Sequence, residues 1–408
     1  MGRSYAPAEP FTTAANDSPV RAPSKGRMVG LDAARGLAIL GMFAAHVGPD
    51  PSVGGPLGWA MEVARGRSSA VFALLAGFTL VIFTGRHRPY TGRDAHQAIG
   101  RVLIRAAVLM ALGYLLELLD TDVDVILSFY GLLFVLALPL YRLSARALSL
   151  VAASTALVMP QVLYVLKAAV DDGSWADAVT GLDPLARVTG SDGFLGLFVT
   201  GAYPALTWFP FIVAGMAVAR LDLSRRDLLT KLAFSGAALA VIGYGGSWLA
   251  LHSVPGARAG VRAAADGGSA ASAWWSDAVG DEVATGHPAW LLVAAPHSQT
   301  SWSIIGNTGV AVTVLAVCFL AVQTWRPLGR LLAPLAAVGS ISLTAYVFHI
   351  VAIRLLGTDG LPDRDALPVL LAFAATAMAS ALVWTRFFRR GPLEYLLHNA
   401  TNLARAIA

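Results

Sequence analysis

Two charges and an imidazole stand inside one apolar run, Leu31-Asp-Ala-Ala-Arg-Gly-Leu-Ala-Ile-Leu-Gly-Met-Phe-Ala-Ala-His46. An ionisable group in such a run is costly and faces a partner or a wet cavity, which makes Asp32, Arg35 and His46 candidates for chemistry. At ~1.5 Å rise per residue, the helix from Arg35 to His46 covers roughly 16 Å, about half of a ~30 Å hydrocarbon core. Arg35 and His46 therefore belong to opposite leaflets. With an ordinary pKa near ~6.5, His46 can take a proton from a hydroxyl or amine. It can equally accept an acyl group transiently. Asp32 and Arg35, at i and i+3, also suit a simple mutual pair, and His46 a hydrogen-bonded helix contact. Asp50, at i+4 from His46, is placed to orient its ring.

Other polar residues gather at the same outer level. His297 precedes a late apolar run and His349 lies in the outer half of another, so either meets His46 if those helices neighbour the first; a loop-surface and a core histidine are the plainer readings. Arg67-Ser68-Ser69 opens the second run with residues that cap a helix or clamp an oxyanion or carboxylate. Asp50, Arg65, Tyr203, Thr207, Trp208, Ser298, Thr300 and Asn307 complete the outer set, and Tyr346 can bond backbone carbonyls or line a channel. On the inner side, Arg86-His-Arg-Pro-Tyr-Thr-Gly-Arg93 suits an anionic ligand, Arg86 and Arg88 above all, although membrane orientation alone explains its charge. The remaining histidines, His87, His96, His252, His287 and His398, have no spacing that builds a metal site. No metal is expected.

Membrane helices must position these groups. Of the 408 residues, 56% are hydrophobic and 13% charged, against roughly 45–50% and about 25% in a soluble domain. The apolar residues come in blocks rather than alternation, with spans expected at 31–48, 68–84, 102–116, 125–141, 147–166, 204–219, 232–251, 302–324, 333–353 and 366–385. The reading is an all-α, polytopic membrane helix bundle of about ten transmembrane helices. Pro204 and Pro210 interrupt the sixth, which as a broken helix plus re-entrant piece would make eleven.

Orientation follows from the basic residues, which stay in the cytoplasm. With the N-terminus inside, 20 of the 30 Lys and Arg fall on inner segments, and 18 of the 25 carboxylates fall outside. Both termini are then cytoplasmic. The net charge of +5 reports this asymmetry and calls for no nucleic acid. Residues 1–27 read as a disordered tail, 28–400 as one membrane domain and 401–408 as a second tail. Two outer loops, 168–197 and 253–300, are long enough to elaborate a site. The single Cys318 packs inside a helix, and no internal repeat suggests a transporter's inverted halves.

The first run, with an Arg and a His separated by ten residues, resembles the first-helix signature of the transmembrane acyltransferase clan. Gly66-Arg-Ser-Ser-Ala-Val-Phe-Ala-Leu-Leu-Ala-Gly77, Gly339-Ser-Ile-Ser-Leu-Thr-Ala-Tyr346 and Arg390-Gly-Pro-Leu-Glu-Tyr395 are similar to the heparan-alpha-glucosaminide N-acetyltransferase-like and YeiB-like (DUF1624/DUF418) membrane proteins within it. The resemblance implies a multipass acyltransferase of the plasma (cell) membrane. It would move an acetyl or other short acyl group from cytoplasmic acyl-CoA to an extracytoplasmic sugar or glycoconjugate, with membrane lipid around it and a homodimer compatible. His46 aligns with the clan's helix histidine, whereas the lysosomal enzyme's histidine stands in its first luminal loop. Asp50, His297 and His349 are the other catalytic candidates; Asp32, Arg35, Arg67, Ser68, Arg86 and Arg88 are those for the acyl-CoA. A transporter or lipid-handling protein without covalent chemistry also uses buried Arg and His, and remains the alternative.

Overall fold

Glycines set the spacing of the helices. A Cβ on Gly36 would lie 1.9 Å from the Leu335 carbonyl oxygen, and one on Gly339 would lie 1.8 Å from that of Asp32. The two backbones touch there, as small residues permit between membrane helices. The computed structural model describes residues 28–407 except 174, 184, 187–192, 266–267, 281, 325 and 359–360. The tail 1–27 lies outside the described residues, as do Arg187 and Gly267.

In chain order the helices are α1 Val29–Val47, α2 Gly55–Ala64, α3 Arg67–Phe83, α4 Gly92–Glu117, α5 Leu127–Ala137, α6 Ala145–Asp172 and α7 Trp175–Leu182. There follow α8 Gly193–Thr200, α9 Ala205–Ala219 and α10 Arg226–Ser253, then α11 Ala257–Ala264, α12 Ser301–Thr324, α13 Arg326–Leu331, α14 Ala333–Ser340, α15 Ser342–Leu356, α16 Asp363–Phe387 and α17 Pro392–Asn402. No strand occurs among the described residues. A backbone in lipid has only its own amides to bond, and helices satisfy that.

Six helical stretches are long and apolar enough to cross a bilayer: Gly55–Phe83, α4, α6, α10, α12 and Arg364–Phe387. The bent pairs α8–α9 and α14–α15 raise this to eight if each is one span. The expected spans at 31–48 and 125–141 are helical too, but Asp32, Arg35 and His46 dilute the first, and the second is short.

Two candidate spans are broken, one at a place with no sign in the sequence and one at the expected proline. The span read as 333–353 bends by 84° at Ile341. The amides freed at the start of α15 find a carboxylate: Glu394 Oε1 accepts from the nitrogens of Leu343 (2.8 Å) and Thr344 (3.2 Å), and its Oε2 from the Thr344 hydroxyl (2.6 Å). A carboxylate at a helix N-terminus meets both the orphan amides and the dipole. In the other pair, Pro204 precedes α9 at a 66° bend, while Pro210 sits within the helix.

Arg67-Ser68-Ser69 does not cap its helix by side chain. The capping position is Gly66 at φ +64°, and Arg67 begins the first turn. Residues 401–406 are helical rather than a free tail, and Gln97 donates to the carbonyls of Arg405 (3.4 Å) and Ile407 (3.3 Å). The segment 253–300 packs with Leu251 into a small second core that includes Val261, Ala273, Trp290 and Val293.

Gly36→Ala, whose methyl must separate α1 from α14, is expected to cost on the order of 1–3 kcal/mol. Thermal unfolding in detergent checks this against Gly245→Ala, where the nearest atom lies 4.0 Å from the added Cβ.

Candidate active site

The bend at Ile341 brings α15 alongside α1. His46 Nδ1 lies 3.0 Å from His349 Nε2, with the two ring planes within 7° of parallel and their centres 5.2 Å apart. Phe43, one turn earlier on α1, packs against His349 at 4.7 Å, and Tyr346 meets its edge at 5.1 Å. His349 is 3% exposed, so its ring has no solvent to bond.

The hydrogen bonds dictate a tautomer. His349 Nδ1 bonds the Tyr346 carbonyl oxygen, which can only accept. Nδ1 therefore carries the proton, and in a neutral ring Nε2 is bare. That bare nitrogen accepts from His46 Nδ1–H, which leaves the lone pair of a neutral His46 on Nε2. The chain of bonds thus presents an oriented basic nitrogen, as second partners do for histidines generally.

The other outer candidates divide. His297, at φ +57°, stands edge-on to Tyr203 at 5.5 Å, with Nδ1 3.4 Å from the Ala202 carbonyl oxygen. Beside it Gln299, which the sequence did not single out, accepts through Oε1 from the Thr207 hydroxyl (2.7 Å) and the Trp208 indole (3.1 Å). Its left-handed φ of +57° has no sequence signal. Asp50 does not sit on the His46 face, because α1 ends at Val47. It instead accepts from the Ser52 amide at 2.9 Å and pairs with Arg65 at 3.0 Å. Those Ser52 bonds, with Arg65 adding, hold its carboxyl below the usual range. The partner at His46 Nδ1 is His349.

Asp50, Trp59, Glu62, Arg65, Trp275 and Asp277 are among the residues lining an outer cleft of 670 Å³. Arg65 bridges Asp50 and Asp277. Glu62 accepts from the Ser276 hydroxyl at 3.0 Å and the Asp277 amide at 3.1 Å, which docks the 253–300 segment onto α2.

Arg35 faces inward. It pairs with Asp32 at 3.6 Å, bonds the Thr79 hydroxyl, and lines a 380 Å³ cavity with Arg105, Arg390, His398 and Glu394. Sequence reasoning missed this grouping. Arg105 carried a signal, a charge inside an apolar run; Arg390 entered only through the segment Arg390–Tyr395, and His398 only as a histidine without metal-site spacing. Tyr346, whose hydroxyl accepts from the Ile126 amide at 3.1 Å, lines the same cavity.

The other expected acyl-CoA residues lie elsewhere. Arg67 is buried and donates to the carbonyls of Glu62 (2.8 Å) and Trp275 and to the Tyr244 hydroxyl (3.1 Å). Ser68 packs between helices, its hydroxyl 2.0 Å from where a Gly41 Cβ would be. Arg86 donates to the carbonyls of Ala219 (2.8 Å) and Leu221 (3.1 Å), while Arg220 donates back to those of Gly85 (3.0 Å) and Arg86. Arg88 is exposed. Among the described residues, no group of three His, Cys, Asp or Glu is arranged to hold a metal ion.

Fold and site define a multipass helical membrane protein with an imidazole pair in its helical core. Residues 27–251, more than half of the chain, match the family described as heparan-alpha-glucosaminide N-acetyltransferase, catalytic, and residues 278–404 match the protein of unknown function family DUF418. The chain belongs to the heparan-alpha-glucosaminide N-acetyltransferase catalytic family, and its catalytic domain is of the membrane acyltransferase type. No curated protein matches the chain.

Arg67→Met leaves two buried carbonyls and a phenol without their donor, at about 1–3 kcal/mol for each unsatisfied group. The expected result is a lowered melting temperature with coenzyme A affinity unchanged. A weakened affinity in protein that melts normally would return Arg67 to the donor site.

Proposed function

We propose that the protein transfers an acetyl or other short acyl group from cytoplasmic acyl-CoA to an extracytoplasmic acceptor, a sugar or cell-envelope glycoconjugate, across the cell membrane. The observation that carries this reading is the hydrogen-bonded pair His46–His349, which leaves an oriented lone pair on His46 Nε2, in a chain of this family. The inner cavity supplies the donor side. Arg35, Arg105 and Arg390 suit the phosphates of coenzyme A, since guanidinium groups bind phosphate by paired N–H donors. Roughly 16 Å of α1 separates Arg35 from His46, a distance for the pantetheine arm to bridge.

In direct transfer, His46 Nε2 takes the proton of the acceptor hydroxyl or amine as that oxygen or nitrogen bonds the acyl carbon. The carbon–sulfur bond breaks, and the thiolate leaves with the proton from the imidazolium. In the two-step route, Nε2 itself bonds the acyl carbon and the thiolate leaves; the acceptor oxygen or nitrogen then bonds that carbon as the carbon–Nε2 bond breaks, and its proton passes to the thiolate, returning a neutral imidazole. Both routes use the same nitrogen. His349 acts as a positioning residue, holding the ring and accepting from Nδ1–H. The outer cleft offers Trp59, 61% exposed, and Trp275 as faces for a sugar ring, with the carboxylates around Arg65 as acceptors for its hydroxyls.

We further propose that α1 and Leu127–Arg142 also span the bilayer, which with the six long helices and the two bent pairs makes ten spans with both termini inside. The basic inner segments support this arrangement. In a Cys318→Ala background, a cysteine at Ser224 is expected to resist a membrane-impermeant maleimide applied to intact cells, and one at Ser269 to react. The opposite pattern would invert the orientation.

Purified full-length protein is expected to bind coenzyme A saturably, with Arg35→Gln or Arg105→Gln weakening it about tenfold, as for loss of one charge-assisted contact. In vesicles given labelled acetyl-CoA, His46→Ala should lower transfer by about 10²–10⁴-fold. His349→Gln, whose amide oxygen still accepts from His46 Nδ1, should lose less than His349→Ala. Wild-type turnover in His46→Ala would remove His46 as base or acyl carrier; absence of coenzyme A binding at millimolar ligand would favour a transporter or lipid-handling protein.

A further inference from the structure

An opening on another side reaches His349, the partner of His46. Between α15 and α16 lies an apolar groove of 550 Å³, within the ~300–1,000 Å³ usual for ligand sites. Phe43, Phe348, His349, Phe373, Ala377 and Trp384 are among its walls. The wall helix α16 carries the span Arg364–Phe387, of which 17% of the apolar stretch is buried in the protein, so the groove opens toward lipid rather than water. Two of the hydroxyls on its walls have partners already: Thr344 donates to Glu394 at 2.6 Å and Ser380 to the Thr376 carbonyl at 2.6 Å. The Trp384 indole N–H is likewise taken, by the Arg390 carbonyl at 2.8 Å. What remains is mostly hydrocarbon surface, with the Thr376 hydroxyl and one imidazole in its wall. A polar ligand would find its groups unpaired there; an alkyl chain would not.

The groove and the basic inner cavity use different faces of one helix. Ser342, Leu343 and Tyr346 of α15 line the cavity, while Ala345, Phe348 and Ala352 line the groove. The Tyr346 and His349 rings, one lining each space, touch at 5.1 Å. A donor held by its phosphates in the cavity and a second substrate held by its chain in the groove thus approach these two touching rings, and through His349 its partner His46, from two sides.

We propose that this groove binds the hydrocarbon chain of an amphiphilic acyl acceptor, a glycolipid, entering laterally from the bilayer with its sugar toward His46. The proposal rests on the acyltransfer reading and narrows its acceptor from sugars in general to lipid-linked ones.

The test uses the full-length protein in phosphatidylcholine nanodiscs and, as probe, dodecyl β-glucoside with a photoactivatable diazirine in the chain. Crosslinks should concentrate on peptides containing Phe348 and Phe373, saturate with probe, and fall about tenfold under saturating unlabelled dodecyl β-glucoside but not under methyl β-glucoside. Ala377→Trp, which fills the groove, should remove them; Leu157→Trp, on exposed α6, should leave them and report that a bulky substitution on a lipid-facing helix is tolerated. Labelling spread over α6, α10 and α16 alike, without saturation, would mean ordinary boundary lipid and overturn the proposal, with or without the variants. A saturable groove with no acetyl transfer to dodecyl β-glucoside would overturn the enzymatic reading and keep the chain site. Transfer to methyl β-glucoside with no groove labelling would do the reverse.

Discussion

The backbone contact between α1 and α14 at Gly36 and Gly339 is the constraint on which the rest of the site depends. In lipid the hydrophobic effect gives helices little reason to associate, and close packing of small residues takes its place. With α14 held against α1, the 84° bend at Ile341 sends α15 past the outer half of α1 and delivers His349 to His46. The bend in turn needs Glu394, whose carboxylate satisfies the amides released at the start of α15. A pair of glycines, a broken helix and a carboxylate from the C-terminal segment therefore position one nitrogen atom.

The arginines show a division of labour that residue type cannot reveal. Arg67, Arg86 and Arg220 have their donors on backbone carbonyls and tie segments together at the ends of helices. Arg35, Arg105 and Arg390 share a cavity instead, with Glu394 and His398. The first group closes the protein, while the second keeps positive charge available within it. An arginine that has bonded three carbonyls has little left for a phosphate, so burial and partners separate structural from ligand-binding cations here.

Some of this was legible before any fold was known. The apolar blocks announced the membrane helices, and Asp32, Arg35 and His46 stood out because charge inside an apolar run has few bland explanations. The first-helix pattern and the Gly339 and Arg390 segments pointed to the family that the chain belongs to. Asp50 was misplaced for a local reason, since i+4 spacing orients a side chain only if the helix continues, and α1 stops at Val47. The broken span at Ile341 was misread because Gly339-Ser340-Ile341 is apolar enough to pass as continuous; the carboxylate that makes the break tolerable lies some fifty residues away in sequence.

By itself, then, the sequence determined what each segment can do in a bilayer: which runs are apolar enough to enter it, which charges are anomalous within them, and which helix carries an imidazole near its C-terminal end. These are properties of composition over one or two dozen neighbours, and solvation sets them locally. Only the tertiary structure decided who meets whom. That His349 rather than Asp50 holds His46, that Arg105 and Arg390 join Arg35, and that an apolar groove reaches His349 all depend on contacts between segments far apart in the chain. Packing geometry at the glycine contacts selects those contacts, and no local pattern encodes it.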